Sequence, residues 1–122
     1  MKNTLIKIEA FINGSWQPAE DGAVFPVLNP ANGEHLADVA DLAAADTRVA
    51  VQAADQAFRD WRQRSARERA GLLRKWSGLI RENRDELARL ITLEQGKPLV
   101  ESYGEISYGV SFIDWFAQSP II

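Results

Sequence analysis

Hydrophobic and polar residues follow two different periods along the chain. Up to about residue 40, short apolar and aromatic runs are separated by turn-forming residues, as in AFINGSWQ and AVFPVLNP. From Asp46 onward, apolar residues recur every three or four positions, which is the period of an amphipathic helix. The pattern predicts an α+β chain in which a small amino-terminal antiparallel hairpin or sheet is followed by about four helices.

The β-rich part, residues 9–40, contains two turn signals. Asn13 and Gly14 lie between apolar and aromatic residues, and this dipeptide tolerates the positive φ angles of a type I′ turn, so we predict a tight hairpin. Pro26 removes a backbone donor from the next apolar run, which therefore forms an edge or irregular strand. A turn rich in Asn, Pro and Gly then precedes EHLADVA, whose weak alternation predicts a further strand.

The helical part, residues 46–117, divides at start and stop signals. Asp46 is predicted to cap the first helix, and Ser65 with Glu68 has the spacing of a capping box for the second. Gly96, two residues before a proline, ends the third helix. The apolar stripes of the helices and the hairpin together define the predicted core. Its members are Phe11, Ile12, Val49, Ala53, Phe58, Leu72, Trp76, Leu79, Leu90, Ile91, Ile106, Val110 and Ile113.

Two glycines lie inside the fourth helix. Gly104 and Gly109 each cost a helix about 1 kcal/mol relative to alanine. We therefore expect something to approach the backbone of the helix closely at these positions.

Composition places the chain among ordinary soluble proteins. It has 122 residues, 46% hydrophobic and 25% charged, with a net charge of -3, which predicts one globular domain. The absence of cysteine excludes disulfides, thiolate metal sites and a cysteine nucleophile within this sequence. No apolar run has the length of a signal sequence or a membrane span, so we expect a soluble cytoplasmic protein that does not bind membranes.

Few residues suggest chemistry by themselves. His35 is the only histidine, so this sequence cannot form a catalytic triad or a metal site with two histidines, and we predict an exposed strand residue. Glu101 and Glu105 share a helix face and could act as an acid/base pair. Nothing else in the sequence converges on them, which favours a solvated helix face. No glycine-rich loop has the strand and helix context of a phosphate site.

A basic stretch from Arg59 to Arg89 contains nine arginines and one lysine. Such a face could attract phosphates. Acidic residues alternate with these bases at helical spacing, as in Asp85 with Arg89, and the chain as a whole is acidic. Nucleic-acid binding is therefore the least favoured of the functions considered, and we expect no nucleic-acid partner.

Several motifs occur together in an order and spacing that resemble a known family. FINGSW, FPVLNPANGE, LEQGKP and GEISY with SFIDWFA resemble the amino-terminal part of an aldehyde dehydrogenase, of the succinate-semialdehyde dehydrogenase branch. The resemblance divides the chain into a tail at residues 1–8, a dehydrogenase-like segment at 9–117 and a divergent end at 118–122. It implies a segment of a much longer polypeptide whose other parts hold the nucleotide.

The resemblance implies a chemistry that this chain does not carry. Family members oxidise the aldehyde through a cysteine thiolate, transfer a hydride to NAD or NADP, and release the acid with a glutamate-activated water. The matching cysteine, glutamate and nucleotide-binding turn lie beyond the point where this sequence stops. No catalytic or cofactor-binding residue is therefore assigned, and we expect the chain alone to be inactive and to bind no cofactor.

Two weaker assignments follow from the resemblance. The last helix borders the substrate entrance in family members, so Tyr108 and Phe112 are similar to entrance-lining residues. The alternative, that both are plain core or interface aromatics, stays open. In several relatives a monovalent cation lies near the positions matching the Leu28 carbonyl and Glu94. The other ligands would lie outside this chain, so we expect no metal here.

The divergent end suggests a truncated or frameshifted gene product or an artificial boundary. Helices shaped for a larger body would then expose apolar side chains and favour self-association, so a homo-oligomer is expected. Three hypotheses result: an inactive dehydrogenase segment, a helical self-association or interaction module derived from it, and a basic nucleic-acid binder. The residues predicted to form exposed patches are Trp61, Trp76, Phe112, Trp115 and Phe116.

Overall fold

The computed structural model describes residues 5–118, which form two small antiparallel sheets and four helices. The chain separates into two compact units, one up to Arg62 and the other from Gln63 onward. The first unit contains strands β1 (Ala10–Ile12), β2 (Ser15–Gln17), β3 (Val24–Leu28) and β4 (His35–Ala40) and helix α1 (Ala44–Trp61). The second contains helices α2 (Ala66–Glu82), α3 (Arg84–Gln95) and α4 (Leu99–Gln118).

Strands β1 and β2 form the predicted hairpin. Asn13 and Gly14 have φ angles of 49° and 81°, so both central residues of the turn adopt the left-handed conformation that a type I′ turn requires. Across the hairpin, Phe11 pairs with Trp16, and their ring centroids lie 5.1 Å apart. The hairpin is therefore held by a local turn and one aromatic cross-strand pair.

Strands β3 and β4 form a second antiparallel pair, so the β-rich part contains two separate two-stranded sheets. Pro26 lies opposite Asp38, and the register shifts between Val27 and Leu28. An irregular edge strand at this proline was predicted and is confirmed. The weakly alternating segment EHLADVA supplies β4, also as predicted.

Helix α1 begins earlier than the sequence predicts. Its N-cap is Ala43, and Asp46 occupies the third helical position. The Asp46 carboxylate accepts hydrogen bonds from the Ala43 backbone N–H at 2.8 Å and from the Glu20 backbone N–H at 3.0 Å. Our prediction of Asp46 as the N-cap is wrong because an acidic residue at this position can reach back to the cap, a role that its residue type alone does not reveal.

In the second unit, α2 begins and α3 ends at the predicted signals. The Glu68 backbone N–H donates to the Ser65 hydroxyl at 3.2 Å, and the Ser65 N–H donates to the Glu68 carboxylate at 2.8 Å. This is the predicted capping box. Gly96 ends α3 with a φ of 79°, and its N–H donates to the Thr92 carbonyl at 2.9 Å. In this unit α4 packs against both α2 and α3.

Small side chains line the helix contacts, and the predicted core is partly wrong. Ile12 and Val110 are buried as predicted, and Ala53, Leu90, Ile91, Ile106 and Ile113 are half-buried. The other buried apolar residues are alanines. On α2, the residues buried against the neighbouring helices are Ala70 and Ser77, and the larger side chains of this helix point outward. The predicted core residues that are exposed instead are Phe11, Val49, Phe58, Leu72, Trp76 and Leu79.

Some predictions fall outside the described residues. These are the tail over residues 1–4 and the ending at Pro120, Ile121 and Ile122. Helix α4 continues through Gln118, the first residue of the segment predicted to diverge. Among the helices within residues 5–118, none combines the length and apolarity that a bilayer crossing requires.

Candidate functional site

One side of helix α4 packs against α2 and α3, and its opposite side is exposed. Its buried positions are Ser102, Val110 and Ala117. At the amino-terminal end, the Ser102 hydroxyl lies 2.8 Å from the Thr92 hydroxyl on α3. At the other end, the Ala117 carbonyl accepts a hydrogen bond from Arg74 on α2 at 2.8 Å. These contacts fix the orientation of α4 and thereby determine which residues it presents outward.

A polar network joins α2 to α4 near the middle of their contact. The buried Ser77 hydroxyl donates to the Asp114 carboxylate at 2.6 Å, and Arg81 donates to both Ser77 and Asp114. The hydrogen bonds that Asp114 accepts hold its pKa below the ordinary value. The bond from Arg81 lowers the pKa most, and the bond from Ser77 is the next largest cause. Asp114 is therefore a carboxylate whose charge is neutralised within the unit.

The lowered pKa of Asp114 predicts an acid-dependent loss of stability. The network contributes stability above the unfolded-state pKa of Asp114, near its ordinary value of 3.8, and loses it as the pH falls through the lower folded-state pKa. We expect Asp114→Asn to unfold at a lower urea concentration than the parent at pH 7. We expect the two midpoints to converge as the pH falls below 3.8. Urea unfolding at a series of pH values measures both.

Asp55 supplies the matched control for this prediction. It forms an exposed pair with Arg59 at 3.5 Å, and such pairs contribute little to stability. Asp55→Asn should leave the urea midpoint nearly unchanged at every pH. A difference between Asp114→Asn and the parent that stays constant with pH would show that the Asp114 charge does not stabilise this unit.

The two glutamates considered as an acid/base pair are placed differently. Glu105 accepts a hydrogen bond from Lys97 at 2.5 Å, and the Lys97 side chain is 19% exposed. Glu101 is exposed. The structure therefore gives Glu105 a cationic partner from the turn before α4. Sequence reasoning missed this pair because Lys97 lies before the start of α4 and the two residues are eight positions apart, beyond the i,i+4 separation at which neighbouring helix side chains pair.

The predicted entrance residues lie together on the outward side of α4. The rings of Tyr108 and Phe112 meet edge to face, with centroids 4.8 Å apart, and both side chains are exposed. Their role at a substrate entrance stays a prediction. His35 lies elsewhere, on β4, where its Nε2 atom is 2.8 Å from the Asp38 carboxylate. It is an exposed strand residue.

The outward side of α4 forms an extended apolar surface, which we call the α4 outer face. The aromatic side chains predicted to be exposed on this helix are exposed, as is Val100 near its start. The hydroxyl of Ser107 donates to the Tyr103 carbonyl at 3.0 Å, and that of Ser111 donates to the Tyr108 carbonyl at 2.6 Å. The face consists of Val100, Gly104, Ser107, Tyr108, Ser111, Phe112, Trp115 and Phe116.

The described residues provide neither a dinucleotide-binding fold nor a cluster of metal-binding side chains. Both sheets in residues 5–118 are two-stranded and antiparallel, so that range contains no parallel strand, glycine-rich turn and helix of the kind that binds a dinucleotide. Within the same range, no three His, Cys, Asp or Glu side chains are grouped so that they could hold a metal. The expectation that this chain holds no cation near the Leu28 carbonyl and Glu94 stays a prediction.

Comparison with known proteins assigns the sequence to a family model and identifies curated relatives. Residues 16–121 match the model described as the aldehyde dehydrogenase family. The chain is 51% identical to the NADP-dependent succinate-semialdehyde dehydrogenase of Escherichia coli over 95% of this chain and 24% of that protein. It is 49% identical to the 3-sulfolactaldehyde dehydrogenase of Pseudomonas putida, with 94% of this chain and 24% of that protein covered.

The fold comparison agrees with the sequence comparison. A crystal structure of an E. coli NADP-dependent enzyme superposes on 97% of this chain with a TM-score of 0.94 and 50% sequence identity. The match covers 24% of the crystallised polypeptide. The chain thus spans about a quarter of the length of the curated relatives and of the solved structure that it matches.

Proposed function

Because the chain belongs to the aldehyde dehydrogenase family, we propose that it is the amino-terminal segment of an NAD(P)-dependent dehydrogenase for short aldehydes that carry an acidic group. The family match over residues 16–121 is the observation that carries this proposal. The two relatives described above are named for substrates that bear a carboxylate or a sulfonate. The chain is 49% identical to one relative and 51% identical to the other. These nearly equal identities support aldehydes with an acidic group as the substrate class, and they do not favour one aldehyde over the other.

We propose that the isolated chain is inactive. Aldehyde oxidation through a thiohemiacetal needs a cysteine thiolate, and the 122-residue sequence contains no cysteine. Hydride transfer needs a bound nicotinamide, which the described sheets and helices do not fit. The role of this segment is therefore structural within a larger catalytic assembly.

An activity assay tests the inactivity of the chain. The purified chain, mixed with succinate semialdehyde and either NAD or NADP, is expected to give no increase in absorbance at the wavelength of the reduced cofactor. The full-length E. coli relative, assayed beside it, provides the positive control. Cofactor reduction that follows the chain through two further purification steps would contradict the proposal and require a nucleophile other than cysteine.

A second candidate function is a helical self-association module that no longer serves a dehydrogenase. The exposed apolar side chains of the second unit favour it, since Leu72, Trp76 and Leu79 on α2 are exposed together with the α4 outer face. Light scattering on the purified chain separates this candidate from a monomeric segment. A homo-oligomer with a fixed subunit number would support self-association.

A further inference from the structure

The α4 outer face is long enough and apolar enough to be an interface. The exposed side chains from Val100 to Phe116 extend over about 24 Å at the rise of 1.5 Å per residue of an α-helix. Val100, Tyr108 and Trp115 are 76%, 64% and 66% exposed. Aromatic side chains of this size are enriched where two protein surfaces meet.

The two serine hydroxyls on the α4 outer face are already bonded within the chain. Ser107 and Ser111 donate their hydroxyl hydrogens to carbonyls of their own helix. From Ile106 to Gln118 the only charged residue is Asp114, and Arg81 neutralises it on the side facing α2. Glu101 and Glu105 are exposed near the Val100 end of the helix, and Glu105 is paired with Lys97. Covering the α4 outer face from Ser107 to Phe116 would therefore remove apolar area from water and leave few polar groups without partners.

The glycines of α4 are a second, independent observation. A Cβ atom built at Gly104 or at Gly109 would have no neighbour within 4 Å in the structure. Nothing in residues 5–118 therefore requires glycine at either position, although glycine weakens a helix. The close approach that we expected from the sequence is not made within the chain. Gly104 belongs to the α4 outer face, whereas Gly109, five positions on, points about 140° away around the helix. A partner whose backbone lies against the α4 outer face would account for Gly104.

The length comparison identifies that partner. The conformation of this chain matches the E. coli crystal structure with a TM-score of 0.94, and about three quarters of that polypeptide lie outside the match. The chain therefore has the same backbone fold as the matching part of the longer polypeptide. A segment of this size, whose buried apolar residues are mostly alanines, leaves its larger apolar side chains for contacts with the remainder.

We propose that the α4 outer face binds the part of an aldehyde dehydrogenase polypeptide that this chain does not span, and that it does so even when that part is supplied as a separate molecule. The proposal rests on the proposed function. It predicts that two polypeptides, joined only by surface contact, assemble into one dehydrogenase.

The test uses the E. coli succinate-semialdehyde dehydrogenase without its matching first quarter. This truncated protein, carrying an affinity tag, is co-expressed with the untagged 122-residue chain. We expect the chain to be retained on the affinity resin in equal molar amount, and the eluate to reduce NADP when succinate semialdehyde is added. The first quarter of the E. coli enzyme, supplied in the same way, serves as the reference.

Matched variants locate the contact. Val100→Glu and Trp115→Glu place charges on the α4 outer face and should lower retention at least tenfold. Val51→Glu places the same charge at an exposed position of α1 and should leave retention unchanged. The circular dichroism of each variant chain, measured alone, establishes that it is folded.

Each outcome decides between named alternatives. Retention without cofactor reduction would leave the docking proposal standing and count against the proposed function. Failure of this chain to be retained would overturn the docking proposal, whether or not the E. coli quarter succeeds, and would leave the family assignment untouched. Equal retention of Val100→Glu, Trp115→Glu and the parent would overturn it as well. A dimer of the chain that Trp115→Glu dissociates, without retention, would assign the face to a second copy.

Discussion

A Val110→Asp chain is expected to lose the helical packing of its second unit at 25 °C. Val110 is 4% exposed and lies on the side of α4 that packs against α2 and α3. Burying a carboxylate in place of this apolar side chain costs several kcal/mol, because the charged group loses its water. A unit of about 60 residues has roughly 3–9 kcal/mol of stability in total. The cost is therefore comparable with everything that holds the three helices together.

Circular dichroism at 222 nm and urea unfolding measure this effect. The control is Val100→Asp, the same substitution on the same helix at a site that is 76% exposed. It should keep the parent spectrum and unfold within about 0.5 kcal/mol of the parent, as surface substitutions usually do. If both variants lose the same amount of stability, Val110 is not more buried than Val100. If neither variant is less stable than the parent, the contacts of Val110 do not hold α4 in place.

Local signals in the sequence predicted the element boundaries well. The Asn13-Gly14 turn, the Ser65 capping box and the Gly96 helix end depend on residues within a few positions of each other, and all three are confirmed. The identity of each residue limits its own backbone conformation or supplies its own hydrogen bond. Such features need no knowledge of the rest of the fold.

The core could not be predicted in the same way. Periodicity showed that Trp76 and Leu79 share a helix stripe, but it does not reveal whether anything covers that stripe. Three of the residues that the packing buries are Ala70, Ala88 and Ala117, and alanine is also common on exposed helix surfaces. Long-range pairs could not be predicted from the sequence either. Asp114 and Arg81, for example, are 33 positions apart and meet only because α2 and α4 pack together.

The candidate site was only partly predictable. The side chains of Tyr108 and Phe112 were singled out through a resemblance to a family, and the structure shows that they are adjacent and exposed. The apolar character of the whole α4 outer face depends on where the hydroxyls of Ser107 and Ser111 point. A sequence read by residue type counts these serines as polar.

The double variant Gly104→Ala and Gly109→Ala is expected to stabilise the isolated chain by about 2 kcal/mol, since each exchange in a helix interior gains about 1 kcal/mol. The added methyl groups meet open space, so no clash offsets this gain. For a unit of about 60 residues, the melting temperature should rise by roughly 8–16 °C. Differential scanning calorimetry on the purified chain measures this shift.

Gly96→Ala provides a control of opposite sign, because Gly96 has a φ of 79° and alanine is strained in that conformation. A lower melting temperature for the double variant would contradict the expectation and show that the glycines already contact a neighbour in the purified state. Stabilisation has a further consequence if α4 binds the rest of a dehydrogenase. The methyl group at Gly104, which lies on the α4 outer face, should then weaken retention in the co-expression experiment, because it separates the helix from the backbone that this glycine admits.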